Sequence, residues 1–264
     1  MKLVTWNINS VRLRLGLVMR LLRTEQPDVL CLQEIKVIND LFPREAFAGL
    51  GYVHQAIHGQ KGYHGVATLS KLPFKTTDSV SLCDKPDCRH IAVTFDNDIE
   101  LHNFYVPAGA DIPDPVVNPK FAHKLDFLRE MARLFEARKD KASARKILVG
   151  DLNVAPLEND VWSHKQLLDV VSHTPVETDL LKNAQAAYDW VDVTRHFVPE
   201  TEKIYSWWSY RAEDWEKSDR GRRLDHIWLS QSLKGAVKSQ AILKRLRGWT
   251  QPSDHVPVVA ELAV

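Results

Sequence analysis

The chain has 264 residues, of which 44% are hydrophobic and 26% are charged. This composition is that of a globular protein and excludes the collagenous and low-complexity classes. The formal net charge is only +1, so a basic face that binds an acidic partner would have to come from local segregation of charge.

The amino terminus and the cysteines bear on the cellular compartment. The segment Leu3 to Trp6 has the alternation of a strand and not the apolar stretch of a signal peptide. No apolar run approaches the roughly 18 residues that are needed to cross a bilayer. The three cysteines, Cys31, Cys83 and Cys88, cannot all pair, and the last two alone make a poor zinc site. Free thiols in a reducing compartment follow, and the sequence predicts a cytoplasmic protein.

Hydrophobic periodicity predicts the elements in chain order. Helical spacing covers Leu15 to Arg23, and residues 119–138 give the clearest helix. Strands are predicted at 3–6, 29–34, 65–70, 91–95, 99–106, 146–150, 204–209, 224–229, 237–243 and 256–262. Because strands outnumber helices and helices separate only some of them, we expect a mixed-sheet α/β or α+β layered fold. No linker-like stretch is evident, so residues 1–264 are predicted to form one domain.

Polar residues stand at the ends of six predicted strands. They are Asn7, Glu34, Tyr105, Asp151, Asn153, Asp225, Asp254 and His255. Turn chemistry explains any one of them, because Asp and Asn side chains bond local backbone. It explains the whole set poorly, and clustered carboxylates repel one another unless a cation or protons neutralise them. The pattern therefore favours one shared site.

The donor types in this set indicate a hard divalent cation. Asn7, Glu34, Asp151, Asn153 and Asp254 all offer oxygen, which suits Mg²⁺, with Mn²⁺ as an alternative, rather than zinc. One or two carboxylates holding Mg²⁺ are usual in sites that handle phosphate.

The histidine of the set needs a separate role. Asp225 can orient the ring of His255 and raise its basicity, as in other carboxylate–imidazole pairs. A charged imidazolium can then bind a phosphate oxygen or assist a leaving group.

Eight segments together carry a resemblance to a known family. "TWNINSVR", "LQEIK", "GYHGVATLSK", "YVP", "GDLNVAP", "SWWSYR", "RLDHI" and "SDHVPV" resemble the exonuclease III family of abasic-site DNA endonucleases, within the endonuclease/exonuclease/phosphatase superfamily. The match runs in order from residue 4 to about residue 260. "LQE", "GDLN" and "SDH" are shared across the superfamily, whereas "WNINSVR", Lys36 and "SWWSYR" are more particular to its DNA-repair branch.

The resemblance implies a DNase I-like fold, a four-layer sandwich of two mixed β-sheets flanked by helices with the site at the sheet edges. It also implies metal ligands. Glu34 would be the principal ligand, helped by Asn7 and Asp254. A second ion near Asp151 and Asn153 is the alternative to a single ion.

The resemblance further implies catalytic roles. Asp151 would activate the attacking water, and Asn153 would orient that water or the phosphate. Tyr105 would contact the phosphate or assist the leaving oxygen. His255, held by Asp225, would stabilise the pentacovalent state.

Three positions depart from the family pattern. Ala108 stands where an asparagine is common, Ile35 where a small hydroxyl residue is usual, and His64 where a serine is frequent. They bear on fine specificity and rate rather than on the chemistry.

The distribution of charge and aromatics favours DNA as the partner. Basic and aromatic residues interleave over 203–223, which suits a phosphate track with stacking groups. The predicted DNA-binding residues are Arg12, Lys36, Trp207, Trp208, Arg211 and Arg222. Adjacent strand residues point to opposite faces, so only one of the two tryptophans is expected near the site. That tryptophan and the "GRRLD" segment are candidates for a pocket that excludes an intact base.

We therefore predict a Mg²⁺-dependent phosphodiesterase of base excision repair that incises DNA 5′ to abasic sites. 3′–5′ exonuclease and 3′-phosphatase or phosphodiesterase activities are also expected, on duplexes with abasic sites or blocked 3′ ends. The alternatives are another phosphoesterase of the superfamily, a general nuclease or a phosphoinositide or sphingolipid phosphatase, and a non-catalytic nucleic-acid-binding module. The protein is expected to be a cytoplasmic monomer, associated with the nucleoid while it acts on DNA.

Overall fold

The computed structural model describes residues 1–138 and 144–264. Within them the chain forms fourteen strands and seven α-helices. The strands are β1 Lys2–Asn7, β2 Val29–Gln33, β3 His54–His58, β4 Val66–Ser70, β5 Phe74–Asp78, β6 His90–Phe95, β7 Ile99–Tyr105, β8 Arg145–Asp151, β9 Val191–Asp192, β10 Trp207–Trp208, β11 Gly221–Arg222, β12 Asp225–Leu229, β13 Val237–Ile242 and β14 Val258–Leu262. The helices are α1 Leu15–Glu25, α2 Arg44–Ala48, α3 Pro119–Glu136, α4 His164–Leu167, α5 Pro175–Ala186, α6 Val193–Phe197 and α7 Trp215–Ser218.

Two six-stranded sheets form the framework. The first has the order β13-β14-β1-β2-β4-β3, and the second has the order β5-β6-β7-β8-β12-β9. β1 runs parallel to β2, and β7 runs parallel to β8. Both of these pairs lie at the centre of their sheet and have antiparallel neighbours, so both sheets are mixed, as predicted.

The sheets pack face to face with helices outside them. The central apolar cluster takes residues from both sheets, among them Leu3, Val29, Leu101, Ile147 and Ile227. Helix α1 packs on the outer face of the first sheet, and helices α3 and α5 pack on the outer face of the second. The predicted four-layer, DNase I-like architecture is confirmed.

The sequence predicted the long apolar elements better than the polar ones. The two predicted helices are α1 and α3, and α3 begins after Asn118, whose side chain accepts backbone hydrogen bonds from the first turn. Helix α5 was missed, although Thr174 and Glu177 form a capping box at its start. Strand β5 was also missed, because four of its five side chains are exposed and leave no apolar alternation.

The strand predicted over 204–209 is wrong in extent. Only Trp207 and Trp208 are extended, and they pair with β11 in a two-stranded ribbon. The amide of Ser206, just before the ribbon, donates to the carbonyl of Arg222 in β11, and the amide of Trp208 donates to the carbonyl of Asp254. The segment is therefore a bridge between loops at the site.

All three cysteines carry free thiols, as expected. In the part of the chain that the structure describes, no helix is both long and apolar enough to span a bilayer.

A buried charge network anchors the start of β12. The guanidinium of Arg223 has no exposed surface and donates to Asp160 and Asp192, each at 2.7 Å. A buried cation needs such partners because desolvation is costly. The network holds the backbone two residues before Asp225 and so helps place that side chain.

Gly150 lets β7 and β8 approach each other closely. Its φ is +142°, and a Cβ at this position would lie 1.9 Å from the carbonyl oxygen of Phe104. The residue that precedes Asp151 is therefore a glycine because the neighbouring backbone occupies the space of a side chain.

We expect Gly150→Ala to destabilise the protein by at least about 2 kcal/mol, because overpacking and an unfavourable backbone conformation act together. Urea unfolding measures the change. Gly235→Ala is the matched control, since nothing lies within 4 Å of a Cβ there, and its stability should stay within about 0.5 kcal/mol of the parent. Equal stability of the two variants would contradict this account of Gly150.

Candidate active site

Strand topology brings the predicted residues to one edge of the two sheets. Asn7 ends β1, and Glu34 follows the parallel strand β2. In the second sheet Asp151 is paired in register with Tyr105 on one side and with Asp225 on the other. Since the sheets are stacked, these two edges face each other.

Asn7 joins the two edges. Its Nδ2 donates to Glu34 Oε1 at 3.0 Å and to Asp151 Oδ2 at 2.8 Å. Its Oδ1 accepts from the backbone amide of Asn9, and its carbonyl oxygen accepts from Ser253 Oγ. A fully buried amide thus holds two carboxylates from different sheets.

Glu34 is the partly exposed carboxylate of this group. Tyr105 donates to its Oε1 at 2.9 Å, and Lys36 Nζ lies 2.8 Å from its Oε2. Burial by itself would raise the pKa of Glu34, but the charge of Lys36 and the bond from Asn7 outweigh it and lower that pKa. Glu34 is therefore an anion at neutral pH.

Tyr105 is held as a neutral phenol. Burial, together with the charges of Glu34 and Asp151, raises its pKa well above the ordinary value. The guanidinium of Arg89 lies 5.0 Å from the centre of its ring. The hydroxyl can therefore act as a hydrogen-bond donor at neutral pH.

Asp225, His255 and Asp151 form a chain of charges. His255 Nδ1 donates to Asp225 Oδ2 at 2.8 Å, and His255 Nε2 lies 3.6 Å from Asp151 Oδ2. Ser206 Oγ also donates to Asp225. The predicted pairing of Asp225 with His255 is present in the structure.

The pKa values of His255 and Asp151 are both shifted upward. Burial opposes charge on His255, but the carboxylates of Asp225 and Asp151 outweigh it and raise its pKa to about 10. Burial raises the pKa of Asp151 to about 7, against the opposing charge of His255. A carboxylate with a pKa near neutrality is suited to accept a proton.

Asn153 is placed by Asp151 and by backbone. Its backbone N–H donates to Asp151 Oδ1 at 2.9 Å, and its side-chain Nδ2 donates to the carbonyl of Val106 at 2.8 Å. Its φ is +53°, a left-handed conformation that asparagine tolerates better than most residues. Asn153 therefore turns back over the end of β8 and stays beside Asp151.

Side-chain hydrogen bonds hold Asp254. Its Oδ1 accepts from Asn9 Nδ2 at 3.1 Å, and its Oδ2 accepts from Trp207 Nε1 at 3.0 Å. Burial would raise its pKa, but the charge of His255 and these hydrogen bonds lower it.

The side chains at the site offer oxygen atoms, the type of ligand that a hard cation prefers. Glu34 and Asp254 are anionic oxygens that line the same cleft, although metal ligation by Asn7 would have to use the Oδ1 that here faces Asn9. Among the described residues, the group with ligand atoms within 4.8 Å of one another is Asp151, Asp225 and His255. Because His255 is already paired with both carboxylates, that group is better suited to proton handling.

A cleft of about 640 Å³ opens from this edge. Its lining includes Glu34, Asn153, Trp207, Arg222, Asp254 and His255. Arg222 stacks over Trp207 at 5.2 Å. Arg222 also donates to the carbonyl of Val171 and to Ser172 Oγ.

The other predicted DNA-binding residues differ in their surroundings. Trp207 and Trp208 both line the cleft, so the prediction that only one of them lies near the site is wrong. Trp208 is 2% exposed and its Nε1 donates to Asp219, whereas Trp207 donates to the site carboxylate Asp254. Arg211 is exposed and lines the cleft. Lys36 is paired with Glu34, and Arg12 is exposed on the loop after β1.

Three supporting residues were not singled out from the sequence. Asn9 bonds both Asp254 and Lys36, and Ser206 bonds Asp225. Asn9 lies in the "WNINSVR" segment and Ser206 in the "SWWSYR" segment, so the family resemblance could have pointed to both. Arg89, over the Tyr105 ring, carried no such signal.

The departures from the family pattern are accommodated locally. Ile35 is fully buried, and Ala108 lines the cleft. His64 Nε2 lies 3.3 Å from Arg89 Nη2. Burial and the charge of Arg89 lower the pKa of His64 to about 4, so it is neutral at pH 7.

Known proteins resemble this chain in sequence and in fold. The chain is 32% identical over 274 residues to the exodeoxyribonuclease III of Haemophilus influenzae, covering 99% of each. An AP endonuclease from Archaeoglobus fulgidus superposes with a TM-score of 0.91 at 31% identity over 100% of both chains. The 3′ phosphatase NExo from Neisseria, bound to a product DNA hairpin, superposes with a TM-score of 0.90 at 30% identity over 100% of both chains. Residues 4–255 match the model of the Endonuclease/Exonuclease/phosphatase family, and the chain belongs to that family.

Proposed function

We propose that this protein is a metal-dependent DNA-repair phosphodiesterase that cleaves the strand on the 5′ side of an abasic site. Exonuclease and 3′-phosphatase activities on blocked 3′ ends use the same centre. The observation that carries the proposal is the continuous chain from Asp225 through His255, Asp151 and Asn7 to Glu34, at the mouth of a cleft lined by tryptophan and arginine.

In this mechanism Asp151 is the general base. Its raised pKa matches the pH at which a base is most effective. Asn153, bonded to both oxygens of Asp151, orients the attacking water toward the phosphorus. The proton of that water passes to Asp151.

Positive and neutral donors surround the position of the phosphate. The imidazolium of His255, held by Asp225, stabilises the added negative charge of the pentacovalent state. The Tyr105 phenol, which is neutral at pH 7, donates to a phosphate oxygen or to the leaving oxygen.

A divalent cation, when bound, would supply Lewis-acid stabilisation of the phosphate charge. Glu34, Asp254 and Asn7 are the proposed ligands, and Mg²⁺ is the proposed ion because every donor is oxygen. Asp151 and Asn153 are the candidates for a second ion.

The cleft accounts for recognition. The strand would run along the exposed cations Arg12 and Arg211, with Lys36 beside the scissile phosphate. Trp207 and Arg222 would border the pocket that receives the flipped-out abasic sugar and excludes an intact base. Trp208, which is almost fully buried, would form part of the same wall.

We propose that a monomer suffices, because residues of one chain supply every group named above. Residues 1–264 would act as one domain. A chromosomal substrate would place the enzyme in the cytoplasm, at the nucleoid.

The first test uses three substrates. With Mg²⁺ we expect incision of a duplex carrying one synthetic abasic site, and EDTA should abolish it. An intact duplex and a phosphoinositide should be cut far more slowly. Equal cutting of intact and abasic duplexes would indicate a general nuclease, preference for the lipid would indicate a phosphatase of the same superfamily, and cutting that survives EDTA would exclude the metal-dependent mechanism.

Asp151→Asn should lower kcat on the abasic duplex by about 10²- to 10⁴-fold, because the general base is lost while the shape of the side chain is kept. DNA affinity, measured by fluorescence anisotropy, should change little. Asp40→Asn, at an exposed carboxylate in the turn Asn39–Leu41, is the control and should behave as the parent. Near-normal turnover in Asp151→Asn would remove this residue from its role.

Affinity for DNA should fall steeply with salt, because each phosphate contact contributes a slope of about −0.9 to log K against log salt. Arg211→Gln should make that slope less negative by about 0.9, the contribution of one phosphate contact. Arg23→Gln, an exposed arginine in α1, should leave it unchanged. A flat salt response of the parent would contradict the proposed DNA track.

A further inference from the structure

A buried ion pair lies behind the cleft, between α3 and α5. Lys124 on α3 and Glu177 on α5 have no exposed side-chain surface, and the Lys124 ammonium contacts Glu177 Oε1. Neither residue belongs to the catalytic set described above. Because burying two charges costs free energy that packing alone does not require, the pair calls for a further explanation.

Lys124 bonds the two loops that leave the catalytic strands. Its Nζ donates to the carbonyl oxygen of Asn153 at 2.7 Å and to that of Ala108 at 3.2 Å. Ala108 lies three residues after Tyr105 at the end of β7, and Asn153 lies two residues after Asp151 at the end of β8. One ammonium therefore links the loops that follow the two strands supplying the phenol and the base.

Glu177 bonds a third loop at the cleft. Its carboxylate accepts from the amide of Ser172 at 2.9 Å and from the amide and hydroxyl of Thr174 at 3.1 and 2.7 Å. Ser172 in turn accepts from Arg222, which lines the cleft. The pair thus connects the backbone at Asn153 to the wall that carries Arg222.

Apolar contacts already hold the two helices together. Leu180 on α5 packs against the cluster of Phe121 and Leu125 on α3 with Val171. Adhesion of α3 to α5 therefore does not depend on the ion pair. The hydrogen bonds of Lys124 and Glu177 go to the backbone of loops, whose position they fix.

We propose that Lys124 and Glu177 form a positioning pair for the hydrolytic reaction, holding Asn153 in register with Asp151. The inference rests on the proposed function. Asn153 has a left-handed backbone, and its carbonyl oxygen is one end of the bond to Lys124. When that donor is lost, Asn153 can turn away from the water that it orients.

The test removes both charges together. Lys124→Met alone would leave a buried, unpaired carboxylate and can fail to fold, whereas Lys124→Met/Glu177→Gln leaves a neutral pair of similar volume. Glutamine keeps an oxygen for the Ser172 loop. We expect kcat on the abasic duplex to fall about 10- to 100-fold, the range that a small misplacement of a catalytic group produces, with KM nearly unchanged.

The matched control is Lys146→Met/Glu100→Gln. This ion pair joins the same two strands, β7 and β8, near their opposite ends, where Glu100 is in register with Lys146. Its kcat should stay near that of the parent. Thermal unfolding of both double variants shows whether each is folded at the assay temperature.

A second readout separates positioning from general loss of stability. In an Asn153→Ala background, the Lys124→Met/Glu177→Gln change should cost less than about threefold in kcat, since positioning acts through Asn153. Amide hydrogen exchange of the segments 106–110 and 151–155 should speed up in the positioning variant and not in the control.

An equal loss of kcat in both backgrounds, or unchanged exchange in 151–155, would overturn the positioning role. A parent protein that cuts none of the DNA substrates would instead overturn the proposed function. The exchange measurement would still report whether the pair holds the loop.

Discussion

The hydrogen bonds from the Asn7 amide to Glu34 and Asp151 are the constraint on which the site depends. Through them one side chain bonds carboxylates that belong to two separate sheets. Two anionic groups can stay this close because a neutral donor lies between them and cations flank them, Lys36 on one side and His255 on the other. The Tyr105–Glu34 and His255–Asp225 bonds join the same two halves of the catalytic set, so Asn7 acts together with them.

Burial and the neighbouring charges together decide the protonation states of three groups at the site. Tyr105 is kept as a phenol, His255 as an imidazolium, and the pKa of Asp151 is raised towards neutrality. These three states are what a donor, a charge stabiliser and a base require at one phosphate. They arise from desolvation together with the order in which acids and bases alternate from Asp225 to Glu34.

Rigid backbone supports this electrostatic order. Gly150 allows close contact of β7 and β8 directly before Asp151, and Arg223 anchors the chain two residues before Asp225. The Lys124–Glu177 pair extends the same principle to the loops beyond the strand ends. Each device acts on backbone within two or three residues of a catalytic side chain, so a precise site results although its members come from distant parts of the sequence.

The sequence by itself determined the long apolar elements, the polar residues at strand ends and the family. Periodicity reports burial directly, and the "GDLN" and "SDH" segments keep their chemistry wherever the chain folds. It did not predict α5 or β5, overextended the strand at 204–209, and gave no sign of Arg89 or of the Lys124–Glu177 pair. The surroundings of Arg89 and the Lys124–Glu177 pair depend on contacts between residues far apart in sequence, as does the bond of Asn7 with Asp151. Only the tertiary structure decides them, because distances, desolvation and pKa values follow from which strands and loops become neighbours.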